Sequence, residues 1–286
     1  MTGHSAEELR LVETRAYPAP SAFAAQANVS QGAYADAAAD PIAFWEDAAR
    51  RLDWQTPWHT ALDWRPPVRS AEGDLSIPVA RWFDGGTLNV AANCVDRHVE
   101  AGRGEKVALY FEGEPGDRTA VTYADLRRRV SQAANALIAL GIQPGDRVVV
   151  YLPVLVETVV IALACARIGA VHSLVFGGFS AEAVRFRLED TGAKLLVTSD
   201  GQFRRGGAVE VKSAADIAAA GLPALEHVLV VRRTGSDVPW TPGRDVWWHD
   251  VVDTASPVHE ATPFDAEHPL FIIYTSGTTG KPKGLV

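Results

Sequence analysis

An alternation of strand and helix patterns within residues 147–199 constrains the fold of this chain most strongly. Apolar strand patterns occupy residues 147–152, 170–176 and 194–199, and helical patterns lie between them at 155–168 and 180–190. Strands that are connected through helices pair in parallel, and the helices then cover the faces of the sheet. The sequence therefore predicts an α/β fold in which a parallel-rich sheet is flanked by helices.

Composition and charge disfavour several classes of protein. Residues 148–176 are apolar enough to suggest a membrane span, but Pro153, Glu157 and Arg167 interrupt the interval, so a buried sheet is the better interpretation. The formal net charge of −8 disfavours nonspecific binding to nucleic acid or to anionic lipid. The N-terminus lacks the basic start and apolar core of a secretory signal. We therefore predict a cytoplasmic protein with no nucleic-acid partner and no membrane partner.

The cysteines and histidines show no metal-binding spacing. Cys94 and Cys165 each lie in an apolar helical pattern, which predicts two buried thiols instead of a disulfide or a metal site. The eight histidines form no His-Glu-x-x-His arrangement. No protein-built metal site is predicted.

Three regions are predicted along the chain. Residues 1–40 are rich in alanine and predict a loosely ordered lead-in with short helical pieces. Residues 41–88 begin with a helix, for which Asp40 is the predicted N-cap, and continue as an irregular segment that tryptophans anchor to a larger body. Residues 89–286 contain the alternating strands and helices, preceded by a helix that Thr122 is predicted to cap.

The stretch that is densest in hydrogen-bond donors covers residues 270–284. Its first residues, 270–274, are apolar, β-branched or aromatic and predict a buried strand that breaks into a loop. Glycines let the backbone approach a ligand and turn its N–H groups inward, hydroxyls add donors, and lysines add positive charge. The predicted phosphate-binding residues are Thr275, Ser276, Gly277, Thr278, Thr279, Gly280, Lys281 and Lys283.

This loop differs from the nucleotide-binding P-loop, Gly-x-x-x-x-Gly-Lys-Ser/Thr. Gly277 and Gly280 are separated by two residues instead of four, and Pro282 stands where a Ser or Thr would bind magnesium. Pro282 also predicts that the chain leaves the loop in an extended conformation. On the local pattern alone, a surface turn rich in glycine and threonine stays open as the alternative.

Two further glycine-containing loops follow predicted strands of the parallel sheet, at residues 177–180 and 200–207. Ligands gather at the carboxyl ends of such strands. In the first loop, tight packing with Ser180 as a helix N-cap is the simpler interpretation. In the second loop, Arg204 and Arg205 are either solvated surface or a fork that pairs with phosphate.

The string Tyr274-Thr-Ser-Gly-Thr-Thr-Gly-Lys-Pro-Lys-Gly284 resembles the phosphate-loop signature of the adenylate-forming enzymes. That family includes acyl-CoA synthetases, luciferases and the adenylation domains of peptide synthetases. The resemblance implies that ATP activates a carboxylate to an acyl-adenylate with release of pyrophosphate. It also implies that the loop grips the β- and γ-phosphates of ATP.

The tryptophan-rich segment narrows the resemblance to one branch of the family. Phe44-Trp45, Asp53-Trp54, Pro57-Trp58 and residues 82–89 are similar to the N-terminal extension of the acetyl- and propionyl-CoA synthetases. This branch implies an AMP-forming ligase that joins acetate to coenzyme A, with ATP, Mg²⁺ and coenzyme A as substrates or ligands. Propionyl-CoA synthetase or another short-chain acyl-CoA synthetase stays open as the alternative.

The loops after the second and third strands look like the coenzyme A region of the same branch. By that resemblance, Arg204 would reach a phosphate of CoA and Val209 would pack on its adenine. The chain departs from the pattern at Gly207, where relatives commonly carry a second basic residue. The residues that the resemblance implies for CoA binding are Phe176, Gly177, Gly178, Arg204, Arg205, Gly206, Gly207 and Val209.

The resemblance covers residues 40–286 and stops just after the phosphate loop, so we expect the chain to be the front part of such an enzyme. The acyl pocket, the magnesium-binding glutamate and the catalytic lysine of the family would lie downstream. We therefore expect the 286 residues alone to be inactive as a ligase. A nonenzymatic remnant with partial nucleotide or CoA surfaces stays open, whereas the motifs of a P-loop kinase or a serine hydrolase are missing.

Overall fold

A computed structural model of the protein describes residues 15–70, 72–275 and 282–286. The chain divides into two compact units, of which the first ends at Arg50 and the second begins at Arg51. The described part of the first unit contains three helices, and the third begins where Asp40 Oδ1 accepts a hydrogen bond from Ala43 N at 3.0 Å. The predicted N-cap at Asp40 is confirmed.

Helices and strands are numbered here in chain order within the described residues. The α-helices, α1 to α8, are Ser21–Ala24, Ala33–Ala39, Pro41–Ala49, Tyr123–Ala139, Val156–Ile168, Ala181–Thr191, Lys212–Ala219 and Trp248–Val251. Two π-helical turns cover Ala92–Asp96 and Val99–Arg103. The strands, β1 to β15, are Thr60–Arg65, Val79–Asp84, Thr87–Leu88, Val107–Glu112, Arg118–Thr122, Arg147–Leu152, Val171–Phe176, Leu195–Ser199, Gly201–Arg204, Gly207–Glu210, His227–Val231, Asp245–Trp247, Phe264–Asp265, Ile273–Thr275 and Lys283–Leu285.

A five-stranded sheet organises the second unit, with the strand order β12-β11-β8-β6-β7. All four neighbouring pairs in this sheet are parallel. The chain leaves β6 through α5 to reach β7 on one side, and then returns through α6 to β8 on the other side. The predicted α/β fold with a parallel-rich sheet flanked by helices is confirmed.

Alternate side chains of β6 enter two separate cores, because successive residues of a strand point to opposite faces of the sheet. Val148 and Val150 are buried in a core that α4 and α5 complete. Val149 and Tyr151 are buried in a second core, against α6 and α7. Burial of each such side chain contributes about 1.5–3 kcal/mol before conformational entropy is counted. Both faces of the sheet therefore need a layer of helices.

Side-chain caps fix the first turns of two helices that flank the sheet. Thr122 Oγ1 accepts a hydrogen bond from Asp125 N at 3.1 Å, which confirms the predicted cap of α4. Ser180 Oγ accepts one from Ala183 N at 3.3 Å, which confirms the predicted cap of α6. The second cap sets where the chain turns from β7 into its helix, and hence the shape of the carboxyl edge of the sheet.

The tryptophan-rich segment is more regular than predicted. Strands β1 and β2 form an antiparallel hairpin within it. Trp54, Trp58 and Phe83 form an aromatic cluster with ring centroids 4.9 to 5.6 Å apart, whereas Trp64 is exposed. Prolines lie just outside both strands, and a proline near a strand pattern argues against a strand when only the sequence is read.

One of the two thiols that were predicted to be buried is exposed. Cys165 lies in the first core, and burial raises the pKa of its thiol to about 12. Cys94 is exposed in the π-helical turn Ala92–Asp96, so its predicted burial is wrong. The wider turn rotates side chains away from the face that a period of 3.6 residues predicts.

The strand predicted at residues 270–274 is not buried. Phe271 joins the large sheet by one parallel bridge to His172, and β14 then pairs antiparallel with β15. Because β7 is the edge strand of the sheet, this segment lies outside it, and Phe271 is 45% and Ile273 55% exposed. The strand is shorter than predicted, since it covers Ile273–Thr275 and is preceded by a single bridge at Phe271. Its burial depends on the position of the strand in the sheet.

Candidate functional site

A cavity of about 450 Å³ lies at the carboxyl edge of the parallel sheet. The end of β4, the chain directly after β6, the end of β7 and strand β9 line it. From β6 the chain continues to β7 on one side of β6, whereas β8 lies on the other side of β6. This edge therefore contains a topological switch point between β6 and β8. Ligands of open α/β sheets bind in such crevices. The cavity is therefore a candidate binding site.

Two glycines shape the floor of the cavity. A Cβ added to Gly177 would lie 2.9 Å from Pro153 N, so only glycine fits there without movement of the backbone. A Cβ added to Gly178 would lie 2.9 Å from Arg204 Nη1, so the guanidinium lies directly over Gly178. Phe176, the last residue of β7, is 66% exposed beside them. The loop thus combines tight packing at Gly177 with open surface at Phe176 and Gly178.

Residues 200–207, which were predicted as a loop, form most of an antiparallel hairpin. Strands β9 and β10 pair, and Arg204 is opposite Gly207 at the turn. The turn residues have φ 55° at Arg205 and φ 82° at Gly206, as expected for a two-residue hairpin turn. Arg204 and Arg205 are both exposed. The turn therefore presents two guanidinium groups at one end of the hairpin.

A buried carboxylate anchors the base of this hairpin. Asp200 is fully buried directly after β8. Its Oδ1 accepts hydrogen bonds from Gly201 N and Arg233 N at 2.7 Å, and its Oδ2 accepts one from Gly235 N at 2.7 Å. Thr234 N donates a further bond at 3.0 Å. Amide donors compensate for the burial of the charge, so Asp200 fixes the hairpin to the chain that follows β11.

Arg233 connects this hairpin with the β4–β5 hairpin. It donates hydrogen bonds to both carboxylate oxygens of Asp117, at 2.7 and 2.9 Å. Its guanidinium also lies 5.0 Å from the centre of the Phe203 ring and 5.5 Å from that of Phe111. The hydrogen bonds from Arg233 hold the pKa of Asp117 below its usual range. A second connection runs from Glu114 Oε1, which accepts a hydrogen bond from Gly206 N at 2.6 Å.

The structure brings part of the predicted CoA-binding set into the cavity. Phe176, Gly178 and Arg204 line it, and Gly177 packs beneath it. The other predicted residues lie on the hairpin outside the lining, and they are Arg205, Gly206, Gly207 and Val209. Glu114 and Arg233 line the cavity but were not predicted. Asp200 was also missed, although a carboxylate directly after a buried strand was a signal that could have identified it.

Most of the predicted phosphate loop lies outside the described residues. This applies to Ser276, Gly277, Thr278, Thr279, Gly280 and Lys281. Thr275 and Lys283 are described, and they are opposite each other in the β14–β15 hairpin. Opposed residues of an antiparallel pair are about 5 Å apart, so the two ends of the loop lie side by side. The extended exit that Pro282 predicted is confirmed as β15.

A second group of charges is enclosed within the fold. Lys212 is fully buried, and its Nζ donates hydrogen bonds to Asp245 Oδ2 at 2.8 Å and to Asp216 Oδ1 at 2.7 Å. Arg244 Nε donates to Asp245 Oδ1 at 2.6 Å, and Arg244 also contacts Asp216. Burial acts to raise the pKa of Asp245, but the hydrogen bonds from Arg244 and Lys212 outweigh it and leave this pKa below its usual range. The charges of this group are paired with one another, so it belongs to the core.

Neither a metal centre nor a membrane span is found in the part of the chain that the structure describes. In residues 15–70, 72–275 and 282–286, no three His, Cys, Asp or Glu side chains converge as metal ligands. None of the helices in these ranges combines the length and the apolarity that crossing a bilayer requires.

Comparison with known proteins relates this chain to one family. Residues 95–286 match the AMP-binding enzyme family, and residues 30–94 match the acetyl-coenzyme A synthetase N-terminus. The chain is 56% identical over 276 residues to acetyl-coenzyme A synthetase of Streptomyces avermitilis, which covers 96% of this chain and 41% of the relative. It is 56% identical over 272 residues to the protein of that name from Mycolicibacterium smegmatis, covering 95% of this chain and 28% of the relative. The acetyl-coenzyme A synthetase of Gemmatimonas aurantiaca is 49% identical over 286 residues, and the match covers 98% of this chain and 42% of the relative.

These matches extend over both regions that carried the resemblance in the sequence. The tryptophan-rich segment, residues 41–88, lies within the N-terminal match, and the phosphate loop lies within the AMP-binding match. The chain spans only 28% to 42% of the length of the relatives named above. Because the AMP-binding match covers more than half of the chain, the chain belongs to the AMP-binding enzyme family.

Proposed function

We propose that this chain supplies the CoA-binding and ATP-phosphate-binding part of an AMP-forming acetate–CoA ligase. The relatives that it resembles carry the name acetyl-coenzyme A synthetase. In the proposed reaction, a carboxylate oxygen of acetate attacks the α-phosphorus of ATP, and pyrophosphate leaves. The sulfur of CoA then attacks the acyl carbon, its proton is released, and AMP leaves.

The cavity at the switch point is the observation that carries this proposal. Phe176 and Phe203 supply aromatic surface, and Arg204 supplies a guanidinium that has no hydrogen-bond partner among the described residues. The nucleotide of CoA has a flat base that suits aromatic surface and phosphates that suit a guanidinium fork. We assign the rest of the predicted set to the same binding surface, namely Gly177, Gly178, Arg205, Gly206, Gly207 and Val209.

The β14–β15 hairpin supports the ATP part of the proposal. Its stem places Thr275 opposite Lys283, so the loop between them returns to its own starting point. A hydroxyl and an ammonium group at the base of a donor-rich loop suit the β- and γ-phosphates. Lys281 and Lys283 would neutralise the charge that develops on the leaving pyrophosphate. Mg²⁺ would accompany ATP, but among the described residues no three His, Cys, Asp or Glu side chains converge to hold it.

The remaining assignments rest on composition and on sequence pattern. We assign residues 1–40 to a lead-in, residues 41–88 to the N-terminal extension, and residues 89–286 to the first part of the AMP-binding domain. Acetate, ATP and CoA are the proposed small-molecule partners. We propose a cytoplasmic enzyme. The formal net charge of −8 disfavours nucleic acid and anionic membranes as its partners.

A chimera tests the ATP and CoA assignments separately. In it, this chain replaces the matching 276 residues of the Streptomyces avermitilis relative. Acetate-dependent pyrophosphate exchange reports the first half-reaction, and acetyl-CoA release reports both. Lys283→Ala should slow pyrophosphate exchange about 100-fold, because the charge of the leaving group is handled in that step. Arg204→Ala should raise the KM for CoA about tenfold, with a much smaller effect on pyrophosphate exchange.

Each assignment has its own contradicting outcome. If Lys283→Ala slowed the transfer of a supplied acetyl-adenylate to CoA as strongly as it slowed exchange, the phosphate-loop assignment would be wrong. An unchanged CoA dependence in Arg204→Ala would show that Arg204 is only surface. Arg204→Lys keeps the charge but loses the planar fork, so its KM for CoA should lie between those of the other two proteins.

A further inference from the structure

A glutamate at the mouth of the cavity binds the turn of the β9–β10 hairpin. Glu114 lies in the turn after β4, and its Oε1 accepts a hydrogen bond from Gly206 N at 2.6 Å. The two residues are 92 positions apart in the chain. The tertiary fold, and not a local turn, therefore brings this carboxylate to the amide.

The Gly206 amide is a suitable position for an anion. Within the hairpin Arg204 pairs with Gly207, so the ladder does not use the N–H of Gly206, which points away from the strands. Arg204 and Arg205 precede it, and both are exposed. An outward amide beside two guanidinium groups is the kind of arrangement that binds phosphate oxygens. A carboxylate oxygen of Glu114 occupies this position, as a phosphate oxygen would.

Two of the four charged residues that line the cavity are already paired with other side chains. Arg233 binds Asp117 through two hydrogen bonds, at 2.7 and 2.9 Å. Glu112 accepts a hydrogen bond from Arg118 at 2.8 Å. These two residues therefore add little net charge to the cavity.

Arg204 and Glu114 are the other two charged residues of the lining. Among the described residues, the guanidinium of Arg204 has no hydrogen-bond partner, and the only partner of the Glu114 carboxylate is the Gly206 amide. The guanidinium of Arg204, which is available to a ligand, therefore shares the cavity with the carboxylate of Glu114, which repels an anion. A phosphate that approaches Arg204 meets the negative charge of Glu114.

We infer that Glu114 occupies the position of a CoA phosphate oxygen at Gly206 N, and that CoA displaces it on binding. This inference rests on the proposed CoA site. Before displacement, the carboxylate blocks one amide donor and reduces the positive potential around Arg204. Glu114 therefore weakens the binding of phosphate-bearing ligands and sets the affinity of this chain for CoA.

Calorimetric titration of the 286-residue chain with CoA and with 3′-dephospho-CoA tests this inference. Glu114→Gln keeps the shape of the side chain and removes its charge, and Glu114→Ala also removes the hydrogen bond. Both variants should lower the Kd for CoA about three- to fivefold, the size expected for an exposed charge, and the gain should shrink as salt is added. Glu100→Gln removes the same charge at an exposed residue outside the cavity lining and should leave the Kd unchanged.

The two ligands identify the group that replaces Glu114. A gain that is limited to CoA supports displacement by the 3′-phosphate, and an equal gain with 3′-dephospho-CoA supports displacement by the diphosphate. An unchanged or higher Kd in both Glu114 variants overturns the inference, because the contact then serves only to hold the hairpin. If the unsubstituted chain binds neither ligand, the proposed CoA site itself is contradicted.

Discussion

Two groups of basic side chains in this protein differ in what surrounds them. Lys212 is enclosed with Asp216 and Asp245, and its ammonium group is bound to both carboxylates. Arg204 and Arg205 lie exposed at the turn of a hairpin. Within this fold, the role of a basic residue depends on whether carboxylates of the same chain already neutralise it.

The physical difference is the desolvation of charge. Removing an ion from water costs several kcal/mol, and its partners must compensate within the fold. If the enclosed group loses one member, another buried charge is left with fewer partners. The exposed arginines keep their water and can exchange it for a ligand at little cost to folding. Three substitutions test whether burial and pairing account for this difference.

The largest effect is expected at Lys212. Lys212→Met should lower the free energy of unfolding by about 3–5 kcal/mol, because Asp245 then remains buried with one donor fewer. Denaturation in guanidinium chloride measures this change. Lys106→Met, at an exposed position, is the matched control and should change the stability by less than about 0.5 kcal/mol. Equal small changes in the two variants would contradict the distinction between the enclosed and the exposed group.

An intermediate effect on stability is expected at His172, a base that is largely buried and has no carboxylate partner. Burial lowers the pKa of His172 from 6.5 to about 4, and its Nδ1 has no hydrogen-bond partner among the described residues. Between these pH values the unfolded chain binds a proton that the folded chain does not. The stability that depends on neutral His172 is thus present above pH 6.5 and is lost as the pH falls toward about 4.

His172→Gln tests this expectation through the pH dependence of unfolding. Between pH 6.5 and about 4, the variant should lose about 2–3 kcal/mol less stability than the unsubstituted chain, as measured by denaturation at both limits. His249→Gln, at an exposed residue, should lose as much as the unsubstituted chain. Identical pH profiles for all three proteins would mean that His172 is not the source of the effect.

The smallest effect on stability is expected at the exposed turn. Arg205 has φ 55°, which strains a residue that carries a Cβ, so Arg205→Gly removes strain but gives the unfolded chain more freedom. These opposing effects should leave the free energy of unfolding within about 0.5 kcal/mol of its original value. The Kd of Arg205→Gly for CoA should nevertheless be about threefold higher than that of the unsubstituted chain. In Arg205→Lys, which keeps the charge, this Kd should rise less. If Arg205→Gly lost as much stability as is expected for Lys212→Met, the distinction between the enclosed and the exposed basic residues would be wrong.

The sheet could be predicted from the sequence because both faces of its central strands are buried. Strands β6, β7 and β8 begin and end within one residue of the predicted bounds. Residues of β6 and β8 enter a core on each side, whereas in the edge strand β7 Val175 enters the second core and Leu174 is exposed. The burial of residues 270–274 could not be predicted in the same way. An apolar strand reads alike at the centre and at the edge of a sheet, and only the pairing with His172 shows that this one lies at the edge.

The candidate site was less predictable because its parts come from distant positions in the chain. The carboxyl ends of the strands directed attention to the loops that contain Gly177 and Arg204, and the family resemblance then implied a CoA-binding role for both residues. Glu114 reaches Gly206 across 92 positions, and no local pattern indicates this pair. The hairpin around Arg205 was hidden as well, because glycine and charged residues have weak strand propensity.

The buried carboxylate of Asp200 determines how quickly different parts of the cavity can open. Amides from two separate segments share this one acceptor, so none can open without leaving a buried charge with fewer donors. We expect Gly201, Arg233 and Gly235 to exchange their amide hydrogens slowly and together. The amide of Gly206, held by an exposed glutamate, should exchange independently and much faster. The mouth of the cavity can therefore rearrange many times for each opening of its base.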